Sequence, residues 1–369
     1  MKHLSLLSIL LLVYSLSYSQ SDSTKKETKG EFDYTFYIDS YYSFDFNEPN
    51  NHNRPGFLLQ YNRHRQVGIN YAMAEVNYTK DKLSTNLGLS LGGFAQVNMA
   101  NERDLFRMLY RANIGYEILK DLELTIGIFG SHMGFESTLS YDNLLVSHSL
   151  TTEWTAYYLA GLKLEYTLSD KWFVGATLAN GNQKITEVEG NTNKLLGLQL
   201  TYTPTKKVNL NYSNLYYNDE PDSSAIFIFY NNLYSTFELG KKLDMVLGFD
   251  FAFSDNKVTN KQDMLYAISV LAKYKLTDKF AVAGRYEYYN DERKMYIKTD
   301  VLNPFVTSNY SLALDYSPIK QVKFRVESRL FSAEKPVYRD DSDFNPNTST
   351  TIKYTTQNAN ILVSVQAKF

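Results

Sequence analysis

Residues 32–46 read FDYTFYIDSYYSFDF, in which apolar and polar residues alternate over almost the whole stretch. Apolar side chains such as Phe36 and Phe44 occupy one set of alternate positions, and polar ones such as Asp39 and Asp45 occupy the other. Successive side chains of a β-strand point to opposite faces, whereas an α-helix would mix the two sets. The stretch therefore predicts a long strand with one apolar face and one polar face.

The same alternation returns along the chain and predicts sixteen strands, whose links alternate in length. Short links rich in Asp, Lys, Gly or Pro, such as 80–82 and 119–121, are typical of hairpin turns. The long links are 47–66, 98–109, 132–155, 181–194, 218–225, 255–263, 290–307 and 332–357. Seven short and eight long links join sixteen strands only if both chain ends lie on the short-turn side.

This organisation predicts an all-β fold, a transmembrane antiparallel up-and-down β-barrel of about sixteen strands spanning residues 32–369. In hydrocarbon an unpaired backbone group costs several kcal/mol, so a membrane-spanning sheet must close on itself. The alternative is a soluble sheet of hairpins. Its exposed Phe and Tyr faces would need a second layer, which the sequence does not supply.

The first residues read as an export signal. Lys2 is followed by an apolar stretch and by the small-x-small site Ser17-Tyr18-Ser19, which predicts a signal peptide over residues 1–19. The polar residues 20–31 are then a short periplasmic N-terminal segment. The chain contains no cysteine, so lipid attachment, disulfides and thiolate metal sites are excluded.

Composition narrows the function classes further. After the signal no run of about 18 apolar residues could form a membrane-spanning helix. The 31 Tyr and 22 Phe suit strands and membrane interfaces. A net charge of −2 without a basic stripe argues against a nucleic-acid partner. No compact His/Asp spacing indicates a metal site, and no cofactor is predicted.

The polar face of the strands carries the charges and is expected to line a wet lumen, because an arginine on the lipid face would cost about 2 to 4 kcal/mol. Lys323, Arg325 and Arg329 form a candidate cationic ladder, with Asp33 and Asp39 two strands away around the closed barrel. The alternative is that such charges pair as salt bridges that fill a narrow barrel. The candidate pore-lining residues are Asp39, Glu75, Arg111, Glu117, Arg285, Glu287, Lys323, Arg325, Glu327 and Arg329.

A barrel of this size is wide enough to leave an aqueous channel unless a segment plugs it. The third long link, 132–155, is the candidate for a loop that folds inward as a constriction. An ordinary external loop is the alternative. The candidate constriction residues are Glu136, Asp142, His148 and Glu153.

The C-terminal segment ANILVSVQAKF alternates and ends in Phe369. This ending is similar to the signal that outer-membrane assembly machinery recognises on barrel proteins. Together with the export signal it predicts the outer membrane of a Gram-negative bacterium, with both termini periplasmic and outer-membrane lipid around the barrel.

The chain resembles the β-barrel porin-2, or OmpL-like, family. The resemblance is carried by IDSYYSFDFNEPN at 38–50, IGIFGSHMGFESTLSYDNLLVSHSL at 126–150 and LANGNQ at 178–183. The residues that match the family pattern are Gly134, Glu136, Asn143, Ser147 and Ser149. The resemblance implies a pore-forming outer-membrane protein.

The sequence thus favours a porin that forms a passive aqueous diffusion channel for small hydrophilic solutes. An enzyme is not expected, although His132 and His148 lie near Ser131, Ser147 and Ser149. The alternative function is an adhesin or structural barrel whose long external loops bind partners without open conductance. Monomer and trimer both stay open.

Overall fold

The computed structural model describes residues 29–256, 261–343 and 352–369. The predicted signal peptide 1–19 and most of the segment 20–31 lie outside the described residues. Sixteen antiparallel strands form one closed barrel, each paired with its two neighbours. The predicted fold and strand number are confirmed.

The barrel strands follow one another along the chain, and a small hairpin of two further strands interrupts the last connection. The strands are β1 Glu31–Asp45, β2 Val67–Lys80, β3 Leu83–Leu91, β4 Leu109–Leu119, β5 Leu122–Gly130, β6 Tyr158–Ser169, β7 Trp172–Ala179, β8 Leu195–Thr205, β9 Val208–Asn218, β10 Ile226–Leu239, β11 Leu243–Asn256, β12 Lys261–Lys275, β13 Phe280–Asp291, β14 Phe305–Ile319, β15 Val322–Ala333, the hairpin strands β16 Tyr338–Asp340 and β17 Lys353–Thr355, and β18 Gln357–Lys368.

The first and last strands close the barrel. β1 pairs with β18 from Tyr37↔Lys368 to Asp45↔Asn360. Beyond this ladder, the terminal Phe369 exchanges backbone hydrogen bonds of 2.9 and 3.1 Å with Phe36. The C-terminal residue therefore belongs to the closing seam, and no strand of the barrel has a free edge.

The period-two pattern explains which side chains face outward. Phe32, Leu87 and Leu312 are more than half exposed, as expected for a lipid-facing surface. Outward aromatic rings also pair between neighbouring strands, with centroids 4.3 Å apart for Trp172 and Tyr202. Outward aromatic rings of this kind are favoured at the membrane–water interface.

We call the end of the barrel with the short turns the turn end and the opposite end the loop end. Asp81 and Asp121 adopt positive φ in two of the turns. The backbone N–H of Lys368 donates to Gln321 O in a third turn, at 2.9 Å. The start of β1, where Glu31 pairs with Thr79, and the end of β18 therefore lie at the turn end, as the link lengths predict.

Two predicted links differ from the structure. β11 and β12 stay paired as far as Asn256↔Lys261, so the predicted link 255–263 shrinks to residues 257–260, which lie outside the described residues. The strand predicted over residues 83–97 ends at Leu91. There Gly92 has φ +120, and a Cβ on it would lie 2.5 Å from Asn70 O.

The described part of the chain contains little helix. Helix α1 spans Gly93–Asn98 and helix α2 spans Leu150–Glu153. Short 3-10 turns cover Asp104–Met108, Ser140–Asp142 and Asp222–Ser224. Among the described residues, no helix is long and apolar enough to cross a membrane.

Candidate functional site

The link between β5 and β6, residues 131–157, lies inside the barrel. We call it the plug segment. Its tip reaches the turn end, where Arg325 Nη1 donates to Ser140 O at 2.6 Å and Lys368 Nζ lies 2.7 Å from Asp142 Oδ2. The interpretation of this link as an ordinary external loop is therefore wrong, because its polar groups bind the inner wall rather than solvent.

Glu327 of β15 holds the middle of the plug segment. Its Oε2 accepts the backbone N–H groups of Val146 at 2.9 Å and Ser147 at 2.8 Å. Its Oε1 accepts the Ser147 hydroxyl at 2.6 Å. One carboxylate thus satisfies three donors of a segment that has left the strand ladder, where buried donors need partners.

Two arginines flank this carboxylate. Arg285 donates to Ser147 O at 2.7 Å and lies 3.2 Å from Glu327 Oε1. Arg329 donates to His148 O at 3.0 Å and lies 3.1 Å from Glu287 Oε2. Each arginine therefore joins a wall carboxylate to a backbone carbonyl of the plug segment.

Glu287 and Arg325 are two further wall residues that bind the plug segment. Glu287 Oε1 accepts the N–H of Leu150 at 2.7 Å. Arg325 Nε lies 2.8 Å from Asp315 Oδ1, and its Nη2 donates to Leu144 O at 3.0 Å. The latch is the set of wall residues Arg285, Glu287, Arg325, Glu327 and Arg329. All five are buried, and all five bind the plug segment.

The three residues of the predicted cationic ladder have different environments in the structure. Arg325 and Arg329 are 0% and 2% exposed and are neutralised by carboxylates, so they do not meet water in this conformation. Lys323 is partly exposed and donates to Tyr141 O at 2.6 Å. The salt-bridge alternative therefore describes the two arginines.

Asp39 of β1 faces the lumen but does not pair with a cation. It accepts the hydroxyls of Tyr61 and Ser364, both at 2.6 Å, and the amide of Asn70 at 3.1 Å. Asn70 is available because a β-bulge leaves it without a register partner between Ile69 and Tyr71. None of these hydrogen-bond partners is charged, and through Tyr61 the Asp39 carboxylate anchors the β1–β2 loop.

The residues that carry the family resemblance fasten the plug segment. Gly134 has φ +84 and its N–H donates to Asn232 Oδ1 at 3.2 Å. Asn143 accepts the N–H of Ser137 at 2.7 Å. Ser149 donates its hydroxyl to Glu136 Oε2 at 2.6 Å. This motif therefore specifies the conformation of the plug segment and its seat on the wall.

His148 is fully buried in the plug segment. Its Nε2 lies 2.9 Å from Ser137 O, which can only accept, so Nε2 carries the proton. Nδ1 then accepts from the Tyr157 hydroxyl at 2.6 Å. Burial, reinforced by the nearby Arg285 and Arg329, lowers the pKa of His148 from 6.5 to about 3, so the ring is neutral.

Glu153 is buried at the end of α2. Its Oε1 accepts the N–H of Gln60 at 3.4 Å, and its Oε2 is without a hydrogen-bond partner in the described structure. Burial raises the pKa of Glu153 from 4.5 to about 8, even though Arg329 and Arg54 oppose the shift. Burial therefore favours the neutral, protonated form of this carboxyl.

The pKa shifts of His148 and Glu153 make the stability of the inserted plug segment depend on pH in opposite directions. A buried His148 favours insertion above pH 6.5 and loses this contribution as pH falls toward 3. A buried Glu153 favours insertion at low pH and loses its contribution as pH rises from 4.5 toward 8. The two ranges overlap between about pH 4.5 and 6.5, where the opposing contributions should make the wild-type balance nearly independent of pH.

Single substitutions should separate the two contributions. In Glu153→Gln the His148 contribution is no longer opposed by Glu153, so the inserted state should weaken by about 2 kcal/mol between neutral pH and pH 5. In His148→Gln the inserted state should weaken as pH rises toward 8. Conductance recorded against pH measures both, and parallel curves for the two variants would rule this balance out.

Apolar side chains fill the loop-end half of the lumen. Phe57 and Leu58 of the β1–β2 loop and Met133 and Leu150 of the plug segment pack at its centre. We call this cluster the seal. The wall residues of the seal, drawn from every strand from β5 to β15, include Phe129, Leu159, Ala179, Leu195, Leu215, Tyr230, Ala252, Leu265, Tyr289, Phe305 and Phe331.

The expectation of a wet, charged interior is therefore wrong for the loop-end half. The sequence does contain a pattern that indicates an apolar interior at this end. Near the loop end several strands are apolar on both faces, as in Tyr158-Leu159-Ala160 and Leu265-Tyr266-Ala267. Continuous apolar runs indicate strands covered on both sides.

Partly water-accessible polar side chains remain on the inner wall of β4 and β6, away from the latch. Arg111 is 37% exposed and lies 3.5 Å from Glu75, and Lys163 lies 2.8 Å from Glu165. Glu117 is at the β4–β5 turn, where it accepts the N–H of Asp121 at 3.2 Å. Within the described part of the chain, no hydrogen bond or salt bridge joins these side chains to the plug segment.

The serine and histidine side chains of the plug segment do not assemble a catalytic pair. The hydroxyls of Ser147 and Ser149 donate to Glu327 and Glu136 rather than to His148. The imidazole of His132 contacts Asn214 O at 3.1 Å. In the described residues no three His, Asp or Glu side chains are grouped as ligands for a metal ion.

Comparison with solved structures identifies the same architecture in outer-membrane channels. An anion-selective porin from Comamonas acidovorans matches with a TM-score of 0.61 at 8% identity, over 92% of this chain and 100% of that one. OmpF from Salmonella typhi, in complex with daunomycin, matches with a TM-score of 0.61 at 11% identity, over 93% and 100%. The outer membrane channel DcaP of Acinetobacter baumannii matches with a TM-score of 0.58 at 10% identity, over 95% and 100%. At these identities the likeness shows the fold.

Sequence comparison shows the family. A search among curated proteins found no significant match. A family model described as "Putative beta-barrel porin-2, OmpL-like" matches residues 31–369, which is nearly the whole chain. The chain therefore belongs to the β-barrel porin-2 (OmpL-like) family, whose fold is that of outer-membrane channels.

Proposed function

We propose that this protein is a non-enzymatic outer-membrane porin through which small hydrophilic solutes diffuse passively, and that the plug segment closes its loop-end half in the conformation described above. The observation that carries the proposal is the polar wall behind the plug segment. A permanently filled barrel is stabilised at least as well by apolar packing as by buried ion pairs. A wall of Arg, Glu, Asn and Ser is compatible with water when the segment moves away.

The barrel itself supports this proposal. Sixteen strands enclose a lumen wide enough for an aqueous channel once side chains and loops do not fill it. The plug segment enters and leaves between adjacent strands, since Gly130 pairs with Tyr158. It can therefore be displaced without breaking a barrel ladder.

The seal favours a second candidate function. A barrel whose loop end is closed by packed aromatic and aliphatic side chains could serve as an adhesin or structural barrel, with loops that bind partners outside the cell. In that case the plug segment would be a permanent part of the core.

We further propose the orientation and assembly that fit a porin. The turn end, with both termini, faces the periplasm, because short turns are periplasmic in bacterial outer-membrane barrels. The terminal Phe369, which pairs with Phe36 at the seam, is the residue offered to the barrel-assembly machinery. Monomer and trimer are both compatible with a complete lumen in one chain.

Planar bilayer recording tests the porin proposal. The refolded mature protein is expected to give ohmic steps with long closed intervals, and vesicles that contain it should swell in small neutral sugars faster than in large ones. A heat-modifiable, folded barrel that never conducts, with or without its plug segment, would instead support the adhesin or structural barrel.

A further inference from the structure

A cavity of about 670 Å³ opens at the turn end beside the tip of the plug segment. Six of its lining residues are lysines and two are aspartates. We call it the basin. Its lysines are Lys241, Lys242, Lys273, Lys275, Lys279 and Lys323.

The lysines reach the basin from different parts of the barrel. Lys241 and Lys242 come from the β10–β11 turn and Lys279 from the β12–β13 turn. Lys273 and Lys323 come from the inner wall of β12 and β15. Side chains of the turns and of the wall thus converge on one concave, solvent-open pocket.

Carboxylates neutralise only part of this charge. Lys273 pairs with Asp315, which also binds Arg325, and Lys275 lies 3.0 Å from Asp244. Within the described residues, the other four lysines have no carboxylate within ion-pair distance. The basin therefore keeps a surplus of positive charge.

Lys323 lies at the floor of the basin, where the plug segment holds its side chain in place. Its ammonium group donates to Tyr141 O at 2.6 Å and lies 4.0 Å from the centroid of the Tyr141 ring. These contacts fix the group while leaving further N–H donors for a ligand, since an ammonium carries three. The tip of the plug segment thus positions the Lys323 side chain at the bottom of the basin.

We propose that the basin is a binding site for small multivalent anions that carry phosphate or carboxylate groups. Its volume lies in the range of about 300–1,000 Å³ that is typical of small-molecule sites. Ammonium groups bind phosphate and carboxylate as point charges, and a surplus of them raises the local concentration of anions. This inference deepens the proposed function, on which its physiological meaning rests, because it names anionic solutes as the class collected at this mouth.

Anion binding can be measured without any conduction. Isothermal titration of the detergent-solubilised, folded barrel with pyrophosphate is expected to show saturable binding that weakens as salt is raised. A parallel titration with citrate tests whether carboxylates share the site. Binding of pyrophosphate alone would restrict the ligand class to phosphates.

Two pairs of turn lysines allow a test of whether the basin lysines bind the anion. The double variant Lys241→Gln/Lys242→Gln should bind pyrophosphate about tenfold more weakly or worse, because two unpaired cations are lost. Lys206 and Lys207 form the same pair in the neighbouring β8–β9 turn but do not line the basin. Their double glutamine variant should bind like wild type.

The outcomes separate the two proposals. The proposed anion site would be wrong if wild-type protein showed no saturable pyrophosphate binding, or if the Lys206/Lys207 and Lys241/Lys242 double variants lost the same amount of affinity. If binding depends on Lys241 and Lys242 but the barrel never conducts, the anion site stands and the porin proposal is wrong. Heat-modifiable migration on gels confirms that each variant is folded.

Discussion

Replacing residues 133–155 by a four-residue Gly/Ser linker is expected to raise the conductance of the barrel by about tenfold or more, because a sixteen-stranded lumen freed of its filling is an aqueous channel. Gly130 and Tyr158 are register partners, so a short linker turns β5 and β6 into an ordinary hairpin. The deletion removes Met133 and Leu150 from the seal and exposes the latch to water. Planar bilayer recording and sugar-dependent vesicle swelling measure the change.

The matched control removes exposed residues from another long link. Residues 186–190 of the β7–β8 link are largely exposed, and their deletion should leave conductance unchanged. Heat-modifiable migration shows whether both barrels fold. If the plug-deleted barrel folds but conducts no better than wild type, the seal is formed by the remaining loops, and the plug segment does not control the path.

The barrel was predictable because its signal is local. The alternation of residues 32–46 fixes a strand without reference to the rest of the chain, and the alternation of link lengths fixes the topology. Strand ends were less predictable where backbone sterics decide them. At Gly92 the close approach of Asn70 O ends β3 before the apolar pattern does.

The latch was only half predictable. Period two placed Arg285, Glu287 and Glu327 on the lumen face, but not their partners. Glu327 and Ser147 are 180 positions apart in the chain, and no spacing rule relates a strand to a segment that folds back through the lumen. The seal was predictable in principle, because inward positions such as Leu159 and Leu265 are apolar only near the loop end.

Removing the Glu327 carboxylate is expected to release the plug segment. Glu327→Ala deletes three hydrogen bonds to Val146 and Ser147 and leaves Arg285 with one fewer anion in a buried site. Breaking a buried ion pair on one side costs about 3–5 kcal/mol. The inserted state bears this cost, because release lets water reach the guanidinium. The open probability in bilayer recordings should therefore rise about 100-fold or more.

Two further variants show whether the Glu327 charge or the Ser147 hydroxyl matters more. Ser147→Ala removes the hydrogen bond that the hydroxyl donates to Glu327 and those it accepts from Arg285 and Arg329, but it keeps the buried ion pair. A loss of about 1–2 kcal/mol and a rise in open probability of roughly 5- to 30-fold are therefore expected. Glu75→Ala removes another lumen carboxylate, which pairs with Arg111 at 3.5 Å and not with the plug segment. If Glu75→Ala opened the barrel as much as Glu327→Ala, general weakening of the wall would explain the effect. A large effect confined to Glu327 would identify the latch as what holds the plug segment in place.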